Sequence, residues 1–246
     1  VVVLNEKFIL PRFCAVQAGL EVQKPSDVEE QENPVIIAGY GHFGNTIGRF
    51  LRANNVEATV LDNDSDNVDF LRRMGLKVYY GDATRYELLD IAGANKAQMI
   101  IIAISDEEKR LELIETVKKH FPNLHILVRS TNRNDAYDLM NAGMMHIYRE
   151  TFDTSLRLGV DALKLLGHRA HEATRSAKMF FVHDEKTLKH LSKIRNDDEY
   201  VTAVRQHIEE LELLMQADRE AINLPALAGW DRKDEGLERK PARSGE

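Results

Sequence analysis

Short apolar runs alternate with amphipathic segments between Pro34 and Tyr148. The segments repeat apolar residues every three to four positions, which is the period of a helix. This alternation predicts right-handed crossovers and a parallel sheet covered by helices on both faces. The six runs of strand length are Val35–Ala38, Ala58–Leu61, Lys77–Tyr80, Met99–Ile104, His125–Val128 and Met145–Tyr148.

Glycines mark the expected helix ends, and the pattern changes after Tyr148. Gly75, Gly93 and Gly143 stand where helices should stop, because glycine takes the left-handed backbone conformation without steric cost. No further strand pattern follows Tyr148. Helical spacing instead predicts three helices, at about 151–166, 171–191 and 197–222. We therefore expect an α/β fold with a doubly wound six-stranded parallel sheet and a C-terminal helical subdomain.

Composition narrows the class of protein. The 246 residues contain 33 Lys+Arg against 40 Asp+Glu, a net charge of −7, which disfavours a nucleic-acid-binding surface. One cysteine, Cys14, excludes an intrachain disulfide framework and a cysteine-cluster metal site, and fits a reducing compartment. The longest apolar run is far shorter than the ~18 residues needed to cross a bilayer. The chain begins at Val1, so we expect a fragment of a longer protein.

A glycine-rich motif follows the first predicted strand. Residues 39–44 read Gly39-Tyr40-Gly41-His42-Phe43-Gly44, which is G-x-G-x-x-G between a strand and a helix. Gly39 permits the tight turn, Gly41 lets the backbone approach a phosphate, and Gly44 lets helix and strand pack closely. The helix start then attracts the anion, so the motif predicts a Rossmann-like nucleotide site that also includes His42 and Phe43.

A carboxylate ends the second predicted strand. Asp62, followed by Asn63, lies where such folds hydrogen-bond an adenosine ribose. It would repel a 2′-phosphate, so we expect NAD(H) or an adenosine nucleotide such as AMP, and not NADP(H). The alternative is that Asp62 only caps the next helix.

Polar residues follow the third and fourth strands at the same expected sheet edge. Asp82, Ala83 and Thr84 come after the third strand, and Ser105 and Asp106 come after the fourth. Ligands sit beyond the carboxyl ends of strands in such sheets, so these residues should line the crevice. Thr84 and Asp106 are also suited to capping the helices that they precede.

No reaction centre accompanies this site. A dehydrogenase needs a general acid or base near the nicotinamide, and the C-terminal helices offer no compact catalytic pattern. The histidines His168, His171, His183 and His190 look scattered over helix faces, so we expect no metal site. The sequence favours a nucleotide sensor over an enzyme.

Four segments together resemble a known family. They are Val35–Gly44, Val60–Asp62, Val78–Arg85 and Arg149–Phe152, the last reading Arg-Glu-Thr-Phe. Over residues 34–230 they closely resemble the cytoplasmic KTN or RCK regulatory domain of glutathione-gated potassium efflux (K⁺/H⁺ antiport) systems, the Kef family. The Gly-Asp-Ala-Thr segment is typical of potassium-transport regulators, and Arg-Glu-Thr-Phe is typical of Kef itself.

The resemblance implies ligands and partners. It implies a homodimer in which the helix after Arg149 crosses to the other copy, with glutathione or a glutathione adduct of an electrophile between subunits. Glutathione would inhibit efflux and adducts would activate it. The matching tripeptide-binding residues are Arg49, Arg149 and Asp184. A membrane antiporter domain, a possible ancillary quinone-reductase-like subunit and a location at the cytoplasmic side of the bacterial inner membrane are also implied. For Met74, which such a dimer could use to sense adduct bulk, we expect core packing instead.

These considerations give a domain plan. It comprises a solvated linker at 1–33, a nucleotide-binding domain at 34–149, a dimer-crossing helix with a helical subdomain at 150–230, and a disordered tail at 231–246. Two alternatives stay open: an NAD(H)-sensing regulator of a potassium uptake system or channel, and a small NAD-dependent oxidoreductase.

Overall fold

The computed structural model describes residues 26–28 and 30–223. Most of the predicted linker and the whole predicted tail lie outside the described residues, as does Cys14. The chain divides into two compact units, with the boundary between Ile126 and Leu127. The sequence plan places its boundary later, between residues 149 and 150.

Six strands form one sheet in the order β3-β2-β1-β4-β5-β6, which confirms the predicted six-stranded α/β fold. The pairings between β1 and β2, β1 and β4, β2 and β3, and β5 and β6 are all parallel. In chain order the elements are β1 Val35–Ala38, α1 His42–Ala53, β2 Ala58–Asp62, α2 Ser65–Arg73, β3 Tyr79–Tyr80, α3 Tyr86–Ile91, β4 Met99–Ile102, α4 Glu107–His120, β5 His125–Ser130, α5 Arg133–Asn141, β6 Ile147–Arg149, α6 Phe152–Leu165, α7 Ala170–Leu191 and α8 Asp197–Asn223.

Strand β1 lies at the centre of the first unit. All four of its residues are buried, and it pairs with β2 on one side and β4 on the other. Ala38 is the register partner of both Leu61 and Ile102, so these three strands end at the same level. That alignment brings the loops after the strands to one edge of the sheet, where a ligand can touch several of them.

The segment before β1 contacts the sheet edge. The Asp27 carboxylate accepts a hydrogen bond from the Tyr80 amide at 2.9 Å and pairs with Arg72 at 2.7 Å. Gln31 is buried, and its amide donates to the Ile91 carbonyl. The expectation of a solvated linker is therefore wrong for Gln31, while Asp27, although exposed, supplies hydrogen-bond partners to the otherwise open edge of β3.

The second unit contains most of β5, all of β6 and the last four helices. Val128 is the register partner of Ile147, and Ser130 is that of Arg149. Helix α6 meets α7 through the ring of Phe152, which packs on two phenylalanines of α7. Helix α8 in turn packs against α7, so the predicted helical region is present.

Strand lengths differ from the prediction for identifiable reasons. Strand β3 begins at Tyr79 and not at Lys77, and the Val78 carbonyl accepts a hydrogen bond from Arg72 Nε. Strand β4 ends at Ile102, and the Ile104 carbonyl is bound by the buried Arg110. In both places an arginine takes the carbonyl that a longer strand would have offered to its neighbour.

Helix ends follow the glycine prediction closely. Gly75, Gly93 and Gly143 all have positive φ, at +79°, +91° and +79°. The expectation that Met74 packs in the core is wrong, since its side chain is 63% exposed. Met74 is the C-cap of α2, beyond the buried stripe of that helix. Among the described residues, no helix combines the length and apolar character needed to cross a membrane.

Candidate nucleotide-binding site

The glycine turn joins β1 to α1 and closes tightly on itself. Gly39 has φ +89°, and a Cβ there would lie 2.9 Å from the Ile104 nitrogen. A Cβ on Gly44 would overlap the Gly39 carbonyl oxygen, so α1 can start here only with glycine at both positions. Gly41 differs, because no atom lies within 4 Å of the place where its Cβ would stand. The turn is packed on two sides and open at Gly41.

The start of α1 lacks the negative groups found at the other helix starts. Its N-cap is Gly41, which has no side chain to accept hydrogen bonds from the first turn, and that turn contains no acidic residue. By contrast, the Asp64 carboxylate caps α2 and the Asp106 carboxylate caps α4. The positive end of the α1 dipole is therefore uncompensated by its own first turn, which suits a phosphate.

Asp62 binds the glycine turn directly. Its Oδ2 accepts hydrogen bonds from the Tyr40 amide at 2.7 Å and from Asn67 Nδ2 at 3.2 Å. Its Oδ1 accepts one from the Asp64 amide at 2.9 Å. The alternative that Asp62 merely caps the next helix is wrong, because Asp64 does so. A carboxylate accepts about four hydrogen bonds, so Asp62 retains capacity for one more, as a ribose hydroxyl requires.

The loop after β3 is held by its own side chains. The Asp82 Oδ1 accepts from the amide of Thr84 at 3.1 Å and from its hydroxyl at 2.9 Å. Helix α3 begins later, with Arg85 as N-cap, so the alternative of Thr84 as the cap is wrong. Ala83 and Thr84 are buried. The Gly81 amide donates to the Asp62 carbonyl, which ties this loop to the end of β2.

The remaining predicted nucleotide residues are solvent-accessible. His42 and Asn63 are exposed, Phe43 is half-buried, and Ser105 is exposed after β4. Asp106 is a helix cap, as the alternative for it proposed, and accepts from the Lys109 amide at 3.0 Å. Burial raises the pKa of Tyr40, and Arg52 and Arg49 oppose that shift. The nucleotide residues all belong to the first unit.

The three residues matched to glutathione divide between the units. Arg49 is exposed on α1 in the first unit, and Arg149 and Asp184 belong to the second. Arg149 Nη1 contacts Asp184 Oδ2 at 2.5 Å, and its Nη2 contacts Glu185 Oε1 at 2.9 Å. The Arg149 guanidinium also lies 3.6 Å from the centre of the Phe152 ring, which fixes its plane.

The second unit also contains a contact to Asp184 that the sequence reasoning missed. Arg133 Nη1 contacts Asp184 Oδ1 at 2.9 Å, so one carboxylate joins two arginines. Arg133 Nε donates to the Tyr137 hydroxyl. Its position could have indicated it, because Arg133 follows the carboxyl end of β5 by three residues and ligands bind beyond the carboxyl ends of parallel strands. Attraction to Asp184 and the Tyr137 contact hold the pKa of Arg133 above its ordinary value, although burial opposes this.

The interpretation of the histidines as scattered is also wrong. His183 and His190 of α7 both approach His207 of α8, with ring centres 5.8 Å and 5.1 Å apart. Sequence spacing gives the face of each helix but not the facing residue of its neighbour.

Comparison with known proteins decides the family. Residues 35–150 match the TrkA-N domain, and residues 154–236 match the potassium efflux system KefB C-terminal domain. A glutathione-regulated potassium-efflux system protein KefC of Escherichia coli O139:H28 is 38% identical over 217 residues, which cover 88% of this chain and 35% of that relative. The Kef CTD of Shewanella denitrificans, solved in an AMP-bound form, is 42% identical with a TM-score of 0.59, over 64% of this chain and 97% of that one. The chain belongs to the Kef family.

This assignment confirms the resemblance stated from the sequence, and it covers both units of the chain. KefC of Shigella boydii serotype 18 matches with the same identity and coverage as the Escherichia coli protein. The chain spans about a third of the length of these curated relatives. It is thus a Kef regulatory domain with a nucleotide-binding fold, and the larger protein is a matter for the proposal below.

Proposed function

We propose that this Kef domain is the ligand-gated regulatory part of a bacterial potassium efflux (K⁺/H⁺ antiport) system. It binds an adenosine nucleotide, AMP or NAD(H), at the glycine turn, and it is inhibited by glutathione and activated by glutathione adducts of electrophiles. It works by regulation and not by catalysis. The observation that carries the nucleotide part is the open Gly41 at an uncapped helix start beside the remaining acceptor capacity of Asp62.

A charge placed at Gly41 tests this site without disturbing the fold. Gly41 has φ −66°, which any residue adopts, and a Cβ there meets open space. Gly41→Asp should leave the melting temperature unchanged or slightly raised, because Asp is a good N-cap. It should weaken AMP binding by about tenfold or more, since its carboxylate competes for the phosphate position.

The matched control is Gly41→Asn, which has the same size and capping ability without the charge. Isothermal titration with AMP and with NADH compares the two variants. Equal affinity in Gly41→Asp and Gly41→Asn would show that the nucleotide phosphate does not lie at this helix start.

Glutathione recognition rests on the arginines of the second unit and on Arg49. Glutathione carries two carboxylates, which the planar fork of an arginine can bind in bidentate fashion. Arg133 and Arg149 are already paired with Asp184 and Glu185, and these four charges sum to zero. A carboxylate of the tripeptide must therefore share or replace the acidic partners of Arg149, and Asp184 itself suits the amine.

Arg149→Ala should weaken glutathione binding by about 10- to 100-fold, the worth of a charge-assisted hydrogen bond. AMP binding should stay nearly intact, because the nucleotide residues belong to the other unit. Arg149→Lys keeps the charge and loses the fork, and Arg169→Ala removes an exposed arginine as the control. Equal loss of AMP and glutathione binding would show that Arg149 supports the fold instead.

A second copy of this chain is part of the proposal. Helix α6 has no buried residue. Leu158 and Leu165 on this helix and Leu166 just after it are among the most exposed large apolar side chains of the described residues. Such a helix is suited to packing on a second copy, as the resemblance implies. Adducts would then act by population shift, with a larger substituent disfavouring the closed arrangement of the dimer.

The membrane partner follows from the family alone. We propose that the domain belongs to a chain with an antiporter domain, at the cytoplasmic side of the inner membrane, with a possible ancillary quinone-reductase-like subunit. Nucleotide binding without saturable binding of glutathione or of a bulky adduct would instead favour an NAD(H)-sensing regulator of potassium uptake or of a channel. Steady NADH turnover with a metabolite would favour an oxidoreductase.

A further inference from the structure

Three potential metal ligands lie close together on two helices of the second unit. They are His183 of α7 and His207 and Glu210 of α8, and one ligand atom of each lies within 4.8 Å of the others. Glu210 Oε2 is 3.0 Å from His207 Nδ1 and 3.7 Å from His183 Nε2. His207 and Glu210 stand at i and i+3, so they share one face of their helix.

One of these ligand atoms is buried without a hydrogen bond. The His183 side chain is only 16% exposed, and its Nε2 has no hydrogen-bond partner in the part of the chain that the structure describes. A buried ring nitrogen that lacks a partner is costly, and such atoms in native proteins commonly indicate an unplaced water or ion. The nearest carboxylate oxygen, on Glu210, is too far for a hydrogen bond but at a distance that a shared cation would bridge.

The other nitrogen of each histidine is already oriented. His207 Nε2 lies 2.8 Å from His190 Nδ1, and His183 Nδ1 lies 3.4 Å from the Thr187 hydroxyl. If these outer nitrogens carry the protons, His207 Nδ1 and His183 Nε2 present lone pairs to the centre of the cluster. Metal-bound histidines almost always have this kind of second hydrogen bond, which fixes the tautomer and the ring.

We propose that His183 Nε2, His207 Nδ1 and the Glu210 carboxylate bind a divalent transition-metal ion, with Zn²⁺ as the preferred class. Two imidazoles and one carboxylate are a ligand set that Zn²⁺ takes in tetrahedral sites, with the fourth position left to water. The ion links α7 to α8. His190 and Thr187 are positioning residues, because they act through the rings of the ligands. None of the three proposed ligands belongs to the residues proposed for nucleotide or glutathione binding, although His183 is the chain neighbour of Asp184.

The test uses the whole chain after removal of metal with a chelator. Isothermal titration with Zn²⁺ should show one saturable site, and Co²⁺ substitution should give the visible absorption of a four-coordinate centre. Zn²⁺ at a hundredfold excess over its dissociation constant should raise the melting temperature by roughly 5–10 °C. Mg²⁺ should show no saturable binding and no rise in melting temperature, since it prefers oxygen ligands.

Variants separate ligands from neighbours. His183→Gln and Glu210→Gln should each abolish the saturable site and the cobalt absorption. His190→Ala should weaken Zn²⁺ binding by about 10- to 100-fold without abolishing it. His171→Gln, which removes an exposed histidine of the same helix, is the control and should bind like the unmodified chain.

AMP titration of the same variants distinguishes this proposal from the proposed function. Unchanged AMP affinity in His183→Gln together with lost Zn²⁺ binding would support a separate metal site. Saturable Zn²⁺ binding that persists in both ligand variants, or no saturable binding in the unmodified chain, would overturn the proposal and leave the cluster as hydrogen-bonded helix packing.

Discussion

Replacing the Asp62 carboxylate by an amide should destabilise the protein even without nucleotide. Asp62 is 7% exposed and accepts three hydrogen bonds, from the amides of Tyr40 and Asp64 and from the Asn67 side chain. In Asp62→Asn the side chain keeps one acceptor oxygen and gains an NH₂ group. Whichever way the amide turns, one of the two backbone N–H groups then faces another donor.

The cost follows from those contacts. A hydrogen bond to a charged acceptor contributes about 1.5–3 kcal/mol, and a buried donor left without a partner adds to its loss. We expect the unfolding free energy to fall by about 2–3 kcal/mol. For a chain of this length that corresponds to a drop of roughly 4–12 °C in melting temperature.

Differential scanning calorimetry of the nucleotide-free protein measures this drop. Asp64→Asn is the matched control, because Asp64 is an exposed N-cap of α2 and Asn caps equally well. It should melt within a degree or two of the unmodified protein. If Asp62→Asn and Asp64→Asn melt together, Asp62 does not hold the glycine turn, and its only role would be toward the ligand.

Three further outcomes are expected. Gly44→Ala should lower the melting temperature sharply and expose the core to proteolysis, because its Cβ would overlap the Gly39 carbonyl; a melt unchanged from the unmodified protein would contradict the packing of the turn. Asp184→Asn should weaken glutathione binding measured by titration, since the neutral amide cannot pair with the tripeptide amine as the carboxylate does, and stronger binding would show that Asp184 only repels the carboxylates. Burial, together with a hydrogen bond to Tyr200, raises the pKa of Tyr137 from 10.0 to about 12. The neutral side chain therefore contributes stability that is fully present below pH 10 and is lost as the pH rises toward 12. Denaturant unfolding of Tyr137→Phe should lack that alkaline component, and identical pH profiles would contradict it.

The sheet could be predicted from sequence because its signals are local. A buried parallel strand reads as an apolar run, and a helix end with positive φ reads as glycine, so Val35–Ala38 and Gly75 were placed correctly. Strand ends were less predictable. Arg72 and Arg110 bind the carbonyls at Val78 and Ile104, and an arginine six residues away carries no such signal in sequence.

The sites could be predicted only in part for a related reason. The G-x-G-x-x-G turn and the acid after β2 are neighbours in the motif, so their pairing follows from the sequence. The Arg133 contact with Asp184 spans 51 residues and depends on how α5 meets α7. The histidine cluster likewise needs the register of α7 against α8, which periodicity leaves undetermined.

The contacts of Asp27 have a mechanical consequence. Tension on the chain ahead of residue 26 would act on the contacts of Asp27. These are two hydrogen bonds to the Tyr80 backbone and an ion pair with Arg72. Under such tension, either these contacts break or β3 is displaced together with the segment. The Gly81 amide, which follows Tyr80, donates a hydrogen bond to the Asp62 carbonyl. A displacement of β3 would therefore be transmitted to Asp62, whose carboxylate binds the glycine turn.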